Sequence, residues 1–188
     1  MELGRTAGLV VAIALAAAPL AAQRVEIGLG AGIALPIREF HIGSKLGAGG
    51  EATLMYQPGE GPIAIRVDAM HLEFRGKPTR SFVYPRTRVT GAGLGAEYDF
   101  DGGEESRWRG WAFGGVGAYY TVIDKGSPEI IPFGRTYVGF KLGFAASYRM
   151  GGLSPFLELQ YLDVLRSNAA VKTIPLLIGF RLGRRSDY

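Results

Sequence analysis

Alternation of apolar residues with polar or small ones, at a period of two, runs through most of this sequence. In residues 137–150, YVGFKLGFAASYRM, Val138, Phe140 and Leu142 fall on one parity and Lys141 falls on the other. Successive side chains of a β-strand point to opposite faces, so this period indicates a strand with one apolar face. Similar segments recur along the chain and predict an all-β protein.

We predict strands at residues 25–35, 45–57, 63–74, 88–100, 108–123, 137–150, 155–166 and 172–183. The connections after the second, fourth and sixth strands are compact and rich in turn-forming residues, whereas those after the first, third and fifth are longer. This pattern predicts an antiparallel up-and-down meander with tight turns at one end. The fifth segment is apolar on both faces, so its orientation stays open.

The first 23 residues have the layout of a secretory signal peptide. Arg5 precedes an apolar run, Pro19 and small residues follow it, and cleavage is expected between Ala21 and Arg24. An uncleaved membrane anchor is the alternative. No later segment approaches the ~18 continuous apolar residues of a transmembrane helix. We therefore predict a signal peptide over residues 1–23 and one exported barrel domain over residues 24–188.

The less apolar face of the predicted strands is mostly glycine, with one or two charges in each strand. This suits the narrow lumen of a small closed barrel, where glycine leaves room for charged side chains from neighbouring strands. The apolar face then meets lipid, and the strands have about the 9–11 residues that a tilted membrane strand needs. Because buried charges must be paired, the inward charges are predicted to form a network. Its members are Glu26, Glu51, Arg66, Asp68, Glu97, Lys141, Glu158 and Arg181.

Aromatic residues gather near both predicted ends of the strands, as expected where a barrel crosses two membrane–water interfaces. Those near the short turns are Tyr56, Tyr98, Phe100, Trp108, Trp111, Tyr148 and Phe156. Those toward the longer loops are Phe74, Tyr119, Tyr120, Phe133, Tyr137 and Tyr161.

With this layout, the chain from Arg24 to Gly183 resembles the small eight-stranded outer-membrane β-barrel family, of the outer-membrane protein A, outer-membrane protein X and opacity types. The last segment, IPLLIGFRLG, is similar to the closing strand of these proteins. The resemblance implies an eight-stranded transmembrane β-barrel in the bacterial outer membrane, inserted by the barrel-assembly machinery, with short periplasmic turns. The family usually ends on an aromatic residue, whereas residues 184–188 here either extend the strand or form a short basic tail.

The sequence offers no convincing catalytic, cofactor or metal site. Cysteine is absent, which excludes disulfides and thiolate ligands. Glu39, His41 and Ser44 share one loop, but residues this close in sequence rarely reach triad geometry. Ser167-Asn168 resembles part of the pattern of lipid A deacylases with this architecture. The histidine that precedes the serine in those enzymes is missing from this sequence. The glycine alternations are strand faces without a following helix, so they are not nucleotide loops. We predict no enzymatic activity, no cofactor and no metal.

One basic cluster stands out, in the loop after the third strand, RGKPTRSFVYPRTR. Arginine gives forked, charge-assisted hydrogen bonds, so this loop is predicted to bind phosphate or carboxylate groups, such as those of lipopolysaccharide. A merely solvated loop is the alternative. The predicted anion-binding residues are Arg75, Lys77, Arg80, Arg86 and Arg88.

These features together predict an outer-membrane barrel with a structural or surface-interaction role. Its expected partners are outer-membrane lipid and lipopolysaccharide. No nucleic acid is expected, because the net charge of +4 is modest. The alternatives are a narrow pore, a lipid-modifying barrel enzyme and a soluble lipocalin-like barrel. The oligomeric state stays open.

Overall fold

The computed structural model describes residues 24–59, 61–80, 82–100, 106–124, 133–165 and 170–183, which form a closed antiparallel barrel of eight strands. The strands are β1 (Arg24–Pro36), β2 (Ser44–Gln57), β3 (Ile63–Gly76), β4 (Thr87–Asp99), β5 (Trp108–Ile123), β6 (Phe133–Tyr148), β7 (Leu153–Val164) and β8 (Val171–Gly183). Each strand pairs with its neighbours in sequence, and β8 closes on β1. The predicted fold class is confirmed. The predicted signal peptide, residues 1–23, and residues 184–188 lie outside the described residues.

Strand β6 begins well before its predicted start at Tyr137. Its first residues pair with β5 alone, since Phe133 faces Ile123, while pairing with β7 starts at Gly139. The β5–β6 hairpin therefore extends beyond β7. This end of the barrel, where β1, β3, β5 and β7 finish, is the long-loop end. The opposite end, where β2, β4 and β6 finish, is the short-turn end.

A short helix, α1 (Glu39–Gly43), follows β1 at the long-loop end and was not predicted. Five residues are too few to show a helical period in the sequence. Arg38 precedes the helix with a φ of 52°, in the left-handed region that non-glycine residues seldom occupy. In the described part of the chain, no helix is long and apolar enough to cross a membrane.

The outward face of the barrel is apolar from strand to strand. Exposed fractions reach 57% for Leu29, 63% for Val116 and 67% for Phe144 and Ile178. An exterior of this kind, spread around a closed barrel, suits the hydrocarbon of a bilayer far better than water. In the strands other than β5, the side chains predicted to form the apolar face are therefore those that point outward to lipid.

Several aromatic residues expected in the interfacial belts lie inside the barrel instead. Strand β5, whose orientation the sequence left open, turns Trp111 and Tyr119 inward, and Phe74 and Phe156 are also buried. Because position along a strand does not reveal which face a ring occupies, the belt prediction was wrong for these residues. The outward belt at the short-turn end contains the ring pairs Tyr98–Phe100 and Trp108–Tyr148, with centroids 5.3 Å and 5.2 Å apart.

The inward glycines make room mainly for rings rather than for charged side chains. A Cβ atom on Gly143 would clash with the ring of Phe113, and one on Gly179 would lie 2.7 Å from the ring of Phe156. Gly93 is a case of the predicted kind, because a Cβ atom added to it would lie 3.2 Å from the Asp68 carboxylate oxygens. Glycine in this lumen thus sets how closely large flat side chains can lie against the wall.

Candidate functional site

The lumen is filled by three successive layers of side chains. Buried arginine, acid and aromatic residues lie nearest the short-turn end, a cluster of charges surrounds Arg66 in the middle, and an apolar layer lies toward the long-loop end. The eight predicted lumen charges are all buried, and each contacts a residue of opposite charge. We refer to them, with Arg109, Asp99 and Gln160, as the lumen network.

Arg66 is the centre of the lumen network. Its Nη2 lies 2.6 Å from Glu51 Oε1 and 2.7 Å from Glu158 Oε1, and its Nη1 lies 3.3 Å from Glu97 Oε2. The guanidinium also lies 3.8 Å from the ring centroid of Phe113, in cation–π geometry. One cation from β3 therefore joins carboxylates from β2, β4 and β7.

Lys141 has the inward position that its parity predicted. Its Nζ lies 2.9 Å from Glu51 Oε1 and 2.7 Å from Asp68 Oδ1, and the residue is 2% exposed. Gln160 Nε2 donates to the other Glu51 oxygen at 2.8 Å. The cation inside the apolar run of β6 thus serves as the counter-ion of two buried acids.

Arg181 and Arg109 complete the lumen network toward the short-turn end. Arg181 binds both carboxylate oxygens of Glu97, each at 2.7 Å, and lies 3.5 Å from the ring of Trp111. Arg109 donates to both oxygens of Glu26, at 2.9 Å and 2.7 Å, and also pairs with Asp99. Sequence reasoning missed Arg109 because β5 is apolar on both faces, so nothing fixed its parity. It also omitted Asp99, although that residue lies within the predicted strand 88–100 on the same parity as Glu97.

The apolar layer closes the lumen toward the long-loop end. Leu72, Phe74, Val89 and Leu162 are all fully buried there. Phe40 of helix α1 reaches down onto Phe74, with ring centroids 4.9 Å apart and planes at 78°. The unpredicted helix therefore acts as a lid on this layer.

The loop after β3 folds back as a small hairpin rather than extending freely. Pro78 and Val83 form an isolated bridge, and Tyr84 N donates to Lys77 O at 3.1 Å. Lys77 N in turn donates to Gly43 O at 2.9 Å, which ties this hairpin to helix α1. We call helix α1 and residues 77–86 together the loop cap.

The five basic residues predicted to bind anions divide into two groups. Arg86 pairs with Glu73, Arg88 Nη2 lies 2.8 Å from Asp124 Oδ1, and Lys77 Nζ donates to the His41 carbonyl. Neighbouring strands thus bring acids that the loop sequence does not show, since Glu73 also faces Arg88 in the register. Arg75 and Arg80 are exposed and contact no acid among the described residues. The available cationic surface is smaller than predicted.

The two histidines lie on different elements of the barrel. His71 lies on the outward face, with Nδ1 2.7 Å from Thr90 Oγ1, and His41 lies in helix α1. Within the described ranges, no group of three or more His, Cys, Asp or Glu side chains could hold a metal ion. Ser167 and Asn168 lie outside those ranges.

No protein-family model matches the sequence, and no curated protein sequence matches it. Solved structures do match the fold. Neisserial surface protein A is 16% identical, with 85% of this chain and 96% of that chain covered and a TM-score of 0.59. The outer membrane protein OprG from Pseudomonas aeruginosa is 12% identical, with 90% and 99% covered and a TM-score of 0.62.

A major outer membrane protein from Thermus thermophilus is 11% identical, with 86% and 99% covered and a TM-score of 0.58. At such identities the likeness concerns the fold, and it agrees with the outer-membrane location expected from the sequence. The chain therefore has the fold of the small eight-stranded outer-membrane β-barrels.

Proposed function

We propose that this protein is a closed outer-membrane barrel whose role is to present the loop cap, together with Arg75 near the end of β3, as a binding surface for anionic groups. The barrel-assembly machinery inserts it, and its short turns face the periplasm. The apolar exterior supports the membrane location, because such a face buries well only in lipid. The buried lumen residues support the closed barrel, since an ion would have to pass both the lumen network and the apolar layer.

The layers inside the lumen oppose a pore in two different ways. Arg66, Lys141 and Arg181 are each 2% exposed or less and are held by acids from several strands. Above them, an ion would meet the side chains of Leu72, Phe74 and Val89, which cannot replace its water shell.

Conductance in planar lipid bilayers measures this closure directly. We expect the purified barrel to insert without producing discrete conductance steps at neutral pH. A general-diffusion porin added to the same bilayers is the positive control, and protease protection of the reconstituted barrel verifies insertion. Regular, single-sized steps from verified insertions would contradict the closed barrel and favour the narrow pore.

Arg75 and Arg80 are the residues that we propose for anion binding. Both are exposed at the long-loop end, Arg75 near the end of β3 and Arg80 in the loop that also contains the ring pair Phe82–Tyr84, whose centroids are 5.1 Å apart. We expect Arg75→Ser/Arg80→Ser to weaken binding to lipopolysaccharide severalfold at low salt. The difference should shrink at physiological salt, because screening weakens exposed charge contacts. Surface plasmon resonance on captured lipopolysaccharide measures both conditions.

The double variant Arg86→Ser/Arg88→Ser is the matched control. It removes the same charge from the same loop region, but from guanidiniums that Glu73 and Asp124 already occupy. We expect its affinity to fall less than that of Arg75→Ser/Arg80→Ser. Equal losses would mean that binding follows net charge alone, and no loss in either would place the binding surface elsewhere.

A further inference from the structure

A groove of about 480 Å³ indents the lipid-facing wall between β3 and β6. Its floor consists of Ala96, Ala112 and Gly114, and its sides include Tyr98 and Phe144. In the strand register, Ala112 lies between Tyr98 and Phe144, and Ala96 faces Gly114. The paired residues of neighbouring strands form rows, or rungs, across the outer wall. In two successive rungs the central residues are therefore small, whereas the residues on both sides are large.

The groove is closed toward the middle of the membrane and continues toward the short-turn end. Leu94 faces Val116 on the next rung up, and these side chains are 58% and 63% exposed, so they form a ledge. In the other direction Gly110 faces Ala146, and the rung after that is Trp108–Tyr148. A low strip of wall thus runs from the groove to the interfacial aromatic pair.

The short-turn end of this strip is polar and cationic. Arg107 is exposed, and its Nη1 donates to Tyr148 Oη at 3.2 Å. Trp108 packs on Tyr148 with ring centroids 5.2 Å apart. Arg149 lies beside them, since its N donates to Arg107 O at 2.8 Å. Tryptophan, tyrosine and arginine are the residues that meet lipid headgroups at a membrane interface.

We infer that this groove binds one phospholipid of the periplasmic leaflet, with an acyl chain against Ala96 and Ala112 and the phosphate at Arg107. The inference rests on the proposed membrane location. The apolar groove and the cationic end lie along the same strands, which matches the amphipathic order of a phospholipid. A second copy packed here about a two-fold axis would bring two Arg107 side chains together, and like charges oppose that contact.

Photo-crosslinking tests the inference on the full barrel reconstituted in phosphatidylcholine vesicles. The probe is phosphatidylglycerol with a photoactivatable diazirine in one acyl chain, and mass spectrometry of peptides locates the adducts. We expect adducts to concentrate on β4, β5 and β6 near the short-turn end. Ala112→Leu, which fills the groove, should reduce them severalfold.

A control variant and a variant at the cationic end of the groove complete the experiment. Ala52→Leu makes the same change on the lipid-facing wall of β2, between Leu29 and Ala69, and should leave the adducts of β4–β6 unchanged. Arg107→Ser should leave the groove intact but remove the advantage of phosphatidylglycerol over a phosphatidylcholine probe. This advantage should also fall with added salt.

Different results would contradict the lipid site and the membrane location. Adducts spread evenly around the barrel, or equal effects of Ala112→Leu and Ala52→Leu, would overturn the groove while leaving the membrane location intact. Absence of adducts on every strand would overturn the proposed location itself. Adducts on the other strands with none on β4–β6 would overturn the lipid site and favour a second copy in the groove.

Discussion

Replacing Arg66 by methionine should destabilise the barrel by ~3–5 kcal/mol, the range for removing one partner of a buried ion pair. Arg66 is 1% exposed and holds Glu51, Glu97 and Glu158. Lys141 still reaches Glu51 and Arg181 still reaches Glu97 in the variant, but among the described residues Glu158 keeps only its contact with Gln160. Reversible urea unfolding in lipid vesicles, followed by tryptophan fluorescence, measures the loss.

A second substitution isolates the cause of that loss. Adding Glu158→Gln to Arg66→Met removes the acid that has lost its cation, so the double variant should recover much of the stability. Val67→Met is the control, because it alters the neighbouring side chain, which points to lipid and is 42% exposed. If Arg66→Met costs no more than Val67→Met, or if the double variant is the less stable of the two, the buried charge is not what stabilises the lumen.

Shortening Phe74 to alanine should also cost ~3–5 kcal/mol, because the ring is fully buried in the apolar layer and its removal leaves a cavity. Gly47 increases the effect, since a Cβ at that position would lie 2.5 Å from the Phe74 ring, so this part of the wall is shaped around the ring. The same unfolding experiment measures the loss. The variant should stay non-conducting, because the lumen network below it remains in place.

Phe40→Ala provides the comparison for Phe74→Ala. Phe40 is only half-buried and meets Phe74 edge to face, so its loss should cost less. A double-mutant cycle on the two rings should give a coupling of about 0.5–1.5 kcal/mol, as for other aromatic pairs. Absence of coupling would mean that helix α1 does not hold the apolar layer closed, and an equal loss for both single variants would mean that the layer and its lid are equally well packed.

The sequence predicts most of this fold because a lipid exterior and a narrow lumen impose opposite demands on alternate residues. Lys141 could be placed inward from its apolar neighbours, and Glu51, Arg66 and Glu158 from theirs. The same rule could not orient β5, because aromatic rings point inward there while Ala112, Gly114 and Val116 point outward. Which acid meets which base depends on the stagger between strands, and no single segment records that stagger.

The loop cap could not be predicted for a different reason. Helix α1 is stabilised by what it contacts, through Phe40 on Phe74 and Lys77 N on Gly43 O, rather than by its own period. Likewise, Glu73 and Asp124 neutralise Arg86 and Arg88 from neighbouring strands. Local sequence gave the charge of the loop correctly, but only tertiary contacts determine how much of that charge remains available.

The distance along the chain between partners in the lumen network constrains the order in which the protein can assemble. Arg66 and Glu158 are 92 residues apart, and Glu51 and Lys141 are 90 apart. A nascent barrel that holds only β1–β4 contains Glu51, Arg66 and Asp68 without Lys141 or Glu158, and lipid would meet those charges through its open side. Contacts of such long range also form slowly, because the intervening chain must first be gathered. The early hairpins therefore have to be kept out of the hydrocarbon until β6 brings Lys141, β7 brings Glu158 and β8 closes the barrel.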